Sequence, residues 1–258
     1  MSRSADRAAG RAATRAVQPA SRPAWYALDR GGWRDYVTLL HPPYTAWHLS
    51  YVVIGGCLAP VVAWDRLGAA VLAFALAVGL GAHALDELNG RPLRTRIPDR
   101  VLVALAGLSI AGACLIGLAG ALTFKSWLAL LVPIGLFLVL AYNLELASGR
   151  FHSDVWFGLA WGGFPVLTGY AAVAGTIRGV AVLAAAFAVL LSLAQRVLSS
   201  HVRYVRRRVV AVRGELELAD ARKEPLDAAR LTAAAEAGLR LLSLATVVLA
   251  ATFVVFRI

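Results

Sequence analysis

Residues 67–85 read LGAAVLAFALAVGLGAHAL and lead directly into residues 86–98, DELNGRPLRTRIP. The first stretch is almost wholly apolar and close to the roughly 20 residues that a helix needs to cross a bilayer core. The second stretch places acids and arginines within a few residues of that helix. Ionisable groups at the mouth of a membrane helix cost free energy unless they are paired or take part in chemistry. The junction therefore predicts a helical membrane fold and marks a candidate functional site.

Composition supports the membrane interpretation. The chain has 258 residues, of which 59% are hydrophobic, and its formal net charge is +11. A soluble protein of this composition would expose large apolar patches. A membrane protein with apolar spans and basic cytoplasmic loops accounts for both the hydrophobic fraction and the positive net charge. The charge is therefore explained without a nucleic-acid partner. We expect an all-α, polytopic transmembrane bundle.

Hydropathy predicts seven spans, each near the length that a bilayer core demands. They cover residues 45–64, 67–85, 101–122, 127–144, 155–175, 179–198 and 239–256. This topology divides the chain into a disordered cytoplasmic tail with an interfacial entry, a six-span bundle, a basic helical connector and a last span. Those four regions are residues 1–40, 41–198, 199–238 and 239–258.

The distribution of basic residues predicts the orientation. Of the 26 lysines and arginines, 22 fall on the side that holds the N-terminus and residues 86–100. The remaining four are Arg66, Lys125, Arg178 and Arg257. Because cytoplasmic loops carry an excess of basic residues, we expect a multi-pass plasma-membrane (inner-membrane) protein with its N-terminus in the cytoplasm and its C-terminus outside.

The charged junction has the composition of a phosphate site. On a helix, His83, Asp86 and Glu87 share a face, and Asn89 lies about one turn from Asp86. Asp86 with Glu87 would suit Mg²⁺, which takes few protein oxygens and completes its shell with water and phosphate. Three arginines follow that could hold the same phosphates by paired hydrogen bonds. They are Arg91, Arg94 and Arg96. The alternative is a solvated elbow in which the two acids pair with these arginines.

The junction also resembles the first signature of the UbiA-type intramembrane prenyltransferases. Asp86 matches the middle acid of that signature, residues 90–92 (GRP) its arginine-proline element, and residues 96–98 (RIP) its end. His83 and Gly90 stand where the family has its first and last aspartates. Tyr142 and Asn143, then Ser153 and Asp154 before FGLAWGGFPVLTGY, are similar to the family's fourth-to-fifth span region.

The resemblance implies a UbiA-like bundle that transfers a polyprenyl group from its diphosphate, with Mg²⁺ at Asp86 and Glu87. It implies catalytic roles for Asp86, Asn89 and Tyr142. The substrate-binding residues expected from the junction, the resemblance and the later basic segment are His83, Glu87, Arg91, Arg94, Arg96, Asn143, Asp154, Arg203, Arg206 and Arg207.

The chain departs from the family after the sixth span. Family members carry a second aspartate motif there, whereas residues 199–208 read SSHVRYVRRR and contain no acid. Two interpretations remain open. Either the arginines replace the second metal ion as counter-charges to the diphosphate, or the protein is a UbiA-fold subunit without catalysis. Such a subunit would bind an isoprenoid, pigment or quinone, or would assemble with a protein partner.

Overall fold

The computed structural model describes residues 22–258, so the tail expected at residues 1–21 lies outside the described residues. The described chain is helical apart from one small hairpin. Its helices are α1 (Trp33–Leu39), α2 (Pro42–Cys57), α3 (Trp64–Leu88), α4 (Asp99–Thr123), α5 (Ser126–Asn143), α6 (Asp154–Ala174), α7 (Gly179–Arg208) and α8 (Ala228–Arg257). The hairpin pairs β1 (Glu215–Glu217) with β2 (Lys223–Pro225) in antiparallel register.

Six helices, α3 to α8, are long and apolar enough to cross a membrane, which indicates a membrane protein and confirms the helical fold expected from hydropathy. Many of their outward side chains are large, apolar and exposed, as lipid-facing residues are. Examples are Leu108, Leu122 and Leu183. The predicted spans agree with these helices to within a few residues, except that α7 and α8 extend well beyond the expected bounds of 198 and 239.

Helix α2 differs from the expected span at residues 45–64. It begins earlier, at Pro42, because proline is favoured in the first turn of a helix, and it ends at Cys57, three residues before Pro60. With 16 residues it is shorter than the six long helices. Even so, His41 at its start stacks on His83 of α3, and the Cys57 carbonyl at its end accepts a hydrogen bond from Arg257 of α8.

Contacts among helix ends and turns define the end of the bundle opposite the junction. The Arg66 guanidinium, in the first turn of α3, lies 3.6 Å from the ring centroid of Phe124, and the Trp127 indole donates to the Gly175 carbonyl. The turns after α2, α4 and α6 and the C-terminal end of α8 therefore lie at this end. The turns after α3, α5 and α7 lie at the other end, together with residues 86–98.

The segment expected as a helical connector at residues 199–238 is helical only at its two ends. Helix α7 stops at Arg208, and the chain then forms the hairpin, in which Glu215 faces Lys223. Pro225 lies in β2, and a proline at this position would have interrupted a continuous helix. The Asp227 side chain accepts from the Arg230 N–H and caps α8.

Two glycines allow α2 and α6 to pack backbone to backbone. A Cβ on Gly55 would lie 2.1 Å from the Val166 carbonyl oxygen, and a Cβ on Gly169 would lie 2.2 Å from that of Val52. Small residues permit this close approach between membrane helices. The same pair of helices is joined by His48, whose Nδ1 lies 2.9 Å from the Trp161 carbonyl oxygen.

We predict that Gly169→Ala lowers stability by about 1–3 kcal/mol, since the added methyl must force α2 away from α6. Gly107→Ala is the matched control, because a Cβ at that helical glycine meets nothing within 4 Å. Thermal unfolding in detergent measures both. Equal melting temperatures for the two variants would contradict the proposed contact.

Candidate functional site

The buried carboxylate of Glu87 organises the loop that follows α3. Its two oxygens accept hydrogen bonds from the Leu93 N–H at 2.9 Å, the Thr95 N–H at 2.7 Å and the Thr95 hydroxyl at 2.9 Å. The side chain is fully buried. The structure thus gives Glu87 a role in shaping the loop, and its expected binding of Mg²⁺ or substrate remains a prediction. The carboxylate is fully used by the loop, and a buried charge needs such partners.

The arginines of this loop are not gathered around a phosphate site. Arg91 donates to the Ile97 carbonyl oxygen at 2.7 Å and pairs with Asp99, so it closes the loop onto α4. Arg94 and Arg96 are exposed. The Arg96 backbone N–H donates to Asp35 of α1. Neither Asp86 nor Glu87 pairs with these arginines, so the pairs of the alternative interpretation are not formed among the described residues. The expected roles of Arg91, Arg94 and Arg96 in holding a diphosphate remain predictions.

Asp86 has a different environment from Glu87. Within residues 22–258 its carboxylate makes no hydrogen bond or ion pair. Arg207, His152 and Arg203 lie close enough to interact with it electrostatically. The basic segment expected after the sixth span therefore does reach the junction, through the two arginines that are one helical turn apart on α7.

Tyr142 faces the same groups. Its hydroxyl is buried and has no hydrogen-bond partner among the described residues, while Arg203 and Asp86 both interact with it electrostatically. Its ring stacks on His152 at 4.4 Å between centroids and meets the edge of Trp161. The structure thus brings together Asp86, Tyr142, Arg203 and Arg207, which we call the polar cluster.

Two other expected site residues, Asp154 and Arg206, form ion pairs. Asp154 is exposed and forms an ion pair with Arg196. Arg206 forms an ion pair with Glu236 and so joins α7 to α8. This pair tethers two helices, and substrate binding by Arg206 remains a prediction.

Two asparagines join the ends of α3 and α5. The Asn89 side chain donates to the Asn143 carbonyl oxygen at 3.3 Å. The Asn143 amide donates to the Val139 carbonyl one turn back on its own helix. These contacts hold Tyr142 beside the junction. Catalytic participation of Asn89 and acceptor binding by Asn143 or Asp154 remain predictions.

A second group of polar residues lies beside the polar cluster. The Tyr26 hydroxyl is 2.7 Å from His41 Nδ1, and the His41 ring stacks on His83 with centroids 4.2 Å apart. Burial raises the pKa of Tyr26 well above its ordinary value. Burial, reinforced by His83, holds the pKa of His41 well below its ordinary value, so His41 is neutral at pH 7. Arg203 and Arg207 interact electrostatically with both groups.

The tautomer of His41 follows from this pairing. A phenol is a better donor than a neutral imidazole, so we assign the Tyr26 hydroxyl as donor to Nδ1. The proton of His41 is then on Nε2, which is buried without a hydrogen-bond partner among the described residues. The His83 ring is oriented by its Nδ1, 3.1 Å from the Gly79 carbonyl oxygen.

Tyr26 belongs to an N-terminal strap, residues 22–30, which covers this end of the bundle. The Leu28 N–H donates to the Thr38 hydroxyl, and Arg206 donates to the Arg22 carbonyl oxygen. Arg240 of α8 lies 5.0 Å from the ring centroid of Trp25. Sequence reasoning missed Tyr26 and His41 as site residues.

The polar cluster offers few ligands for a resident Mg²⁺. The described residues contain no group of three or more histidine, cysteine, aspartate or glutamate side chains able to hold a metal ion. Because Glu87 is committed to the loop, Asp86 alone remains of the expected pair. A single carboxylate between two arginines suits Mg²⁺ only when a phosphate supplies further oxygens.

Comparisons with known protein families, with curated proteins and with solved structures found no match.

We predict that Glu87→Gln destabilises the protein by about 2 kcal/mol or more, since hydrogen bonds to a charged group contribute about 1.5–3 kcal/mol each. Arg94→Gln, on the exposed face of the same loop, should change stability by less than about 0.5 kcal/mol. Thermal or denaturant unfolding in detergent measures both. A Glu87→Gln variant as stable as the parent would show that the carboxylate does not organise the loop.

Proposed function

We propose that this protein is a UbiA-like integral membrane protein that binds the diphosphate head of an isoprenoid lipid at its cytoplasmic face. In this proposal α2 is a seventh span. Its 16 residues extend about 24 Å, at about 1.5 Å per residue. That length falls short of a lipid-exposed span, but α2 is packed among other helices, and its ends meet α3 and α8. The basic residues near the polar cluster favour the cytoplasmic side for that end.

The observation that supports the proposal is an excess of unused hydrogen-bond donors. Arg207 Nε, the Tyr142 hydroxyl and His41 Nε2 are all buried without a hydrogen-bond partner among the described residues. Buried polar groups in proteins are nearly always hydrogen-bonded. Donors beside guanidinium groups favour an anionic ligand rich in acceptor oxygens, and a diphosphate provides both properties.

Arg203 and Arg207 have separate parts in this proposal. Arg203 is held by the hydroxyls of Ser199 and Ser200, at 3.0 and 2.9 Å, so its position is fixed before a ligand arrives. Arg207 lies one turn further along α7 and interacts electrostatically with Asp86. A preorganised arginine and a second arginine with an unused donor would bind the two phosphates of one head group.

The isoprenoid part of the proposal rests on the resemblance to the UbiA-type enzymes and on the aromatic surroundings. Phe157 and Trp161 lie against Tyr142 on the side of the bundle interior. Aromatic walls exclude water and favour developing positive charge by cation–π attraction. In this proposal Mg²⁺ arrives with the diphosphate and is held by Asp86 together with phosphate oxygens.

We predict that Arg207→Gln weakens binding of farnesyl diphosphate roughly tenfold or more, the equivalent of one charge-assisted hydrogen bond. Arg208→Gln is the matched control, because Arg208 is the next residue on α7 and is exposed. Titration of the purified protein in nanodiscs measures both, with farnesol as the uncharged ligand. Equal affinities for the parent and Arg207→Gln would contradict the proposal.

Prenyl transfer is the second candidate function, and the unpaired carboxylate of Asp86 favours it. In the reaction the allylic C–O bond breaks, and the diphosphate leaves with the electron pair. The resulting carbocation is attacked by an electron-rich acceptor, which then loses a proton. Arg203 and Arg207 would stabilise the charge that develops on the leaving diphosphate, and the Tyr142 hydroxyl would donate to it.

If the protein is a transferase, Asp86→Asn should lower the rate of diphosphate release from farnesyl diphosphate at least about 100-fold, an effect typical of losing a preorganised electrostatic group. Asp65→Asn, at the opposite end of α3, should leave the rate unchanged. Release is measured with candidate acceptors such as quinone precursors, with Mg²⁺ and with chelator. Tight binding without release under every condition would support the alternative of a lipid-binding or structural subunit.

A further inference from the structure

An apolar cavity extends from the end of the bundle opposite the polar cluster into the bundle interior, where Trp161 lines it. It has a volume of about 180 Å³ and is enclosed by α3, α4, α5 and α6. Its walls are nearly all apolar, with Ala77, Ile110 and Phe164 among them, and they include Arg66 and Phe124 at one end. The exposed residues Ala69 and Thr123 also line the cavity, so it reaches the outer surface of the bundle.

Two polar atoms in this apolar wall have no hydrogen-bond partner among the described residues. They are Arg66 Nε and the Thr168 hydroxyl oxygen, and both are buried. Burying a polar group without a hydrogen bond is costly, and burying part of a charged group costs more. Arg66 contacts the face of the Phe124 ring, but it makes no ion pair within residues 22–258.

Thr168 differs from four other hydroxyl residues in the long helices. Thr123, Ser243, Thr246 and Thr252 each donate to the carbonyl four residues earlier in their own helix. That bond is the usual way in which a membrane helix satisfies a hydroxyl. Thr168 does not make it, so its hydroxyl remains available to a molecule in the cavity.

The charge at this end of the bundle is positive. Arg66 lies in the first turn of α3, Lys125 and Arg178 lie in the connectors, and Asp65 is the one acidic side chain there among the described residues. Arg257 is already satisfied by the carbonyl oxygens of Cys57 and Ala59. A ligand that approaches Arg66 along the membrane surface therefore meets a cationic rim, which attracts an anion.

We propose that this cavity is a binding site for an anionic phospholipid, with its phosphate at Arg66 and part of one acyl chain inside the bundle. A cavity of about 150 Å³ holds benzene, so the space here accommodates a chain segment of roughly six carbons. An ester carbonyl of the same lipid would accept from the Thr168 hydroxyl. The proposed phosphate position at Arg66 and the polar cluster lie at opposite ends of the bundle, while Trp161, whose ring contacts Tyr142, lines the inner part of the cavity.

Native mass spectrometry of the delipidated protein tests this proposal, with dioleoyl phosphatidylglycerol as the anionic probe and dioleoyl phosphatidylcholine as the neutral one. We expect one phosphatidylglycerol bound with roughly tenfold preference, as a charge-assisted contact confers. Arg66→Gln should abolish the preference, and Thr168→Val should weaken binding about fivefold. Ala113→Phe, which fills the cavity, should remove the bound lipid.

Arg178→Gln is the matched control, because Arg178 is an exposed arginine at the same end that does not line the cavity. Circular dichroism confirms that each variant is folded. If Ala113→Phe fails to fold, the nearly isosteric Thr168→Val and the Arg66→Gln variant decide the question. Unchanged preference in Arg66→Gln, or an equal loss in Arg178→Gln, would overturn the proposal.

Discussion

The bundle depends on the contact between α2 and α6, where two glycines let the helix backbones touch. Gly55 faces the Val166 carbonyl and Gly169 faces that of Val52, so neither position has room for a side chain. This contact fixes the position of α2 along the axis of α6. It thereby places His41, at the start of α2, beside the end of α3. Small shifts along this seam would separate the polar groups that meet at that end.

The two adjacent acids at the end of α3 show how burial assigns different roles. Glu87 is fully buried and accepts three hydrogen bonds, so its charge is stabilised within the protein and gives the following loop its shape. Asp86 has arginines near it but no hydrogen bond or ion pair within residues 22–258. The same contrast separates Arg206, paired with Glu236, from Arg207. One residue of each pair holds the fold together, while the other faces the polar cluster.

Much of the fold could be predicted from the sequence, because apolar stretches near 20 residues and the N-cap at Asp227 are local signals. The sequence also predicted that Asp86, Tyr142, Arg203 and Arg207 belong to one site, from the charge at a helix end, the family resemblance and the basic segment, and the structure places these four residues near one another. It could not show that Glu87 turns inward, because that depends on N–H groups six and eight residues later. Nor could it place Tyr26, which reaches the site through tertiary packing of the strap.

The central claim is that the polar cluster binds the phosphate groups of an isoprenoid diphosphate. A high-resolution cryo-electron microscopy structure of the protein in nanodiscs with farnesyl diphosphate tests it most directly. We expect phosphate density within hydrogen-bonding distance of Arg203, Arg207 and the Tyr142 hydroxyl. Phosphate density at the exposed arginines of the loop, Arg94 and Arg96, with an empty polar cluster, would contradict it.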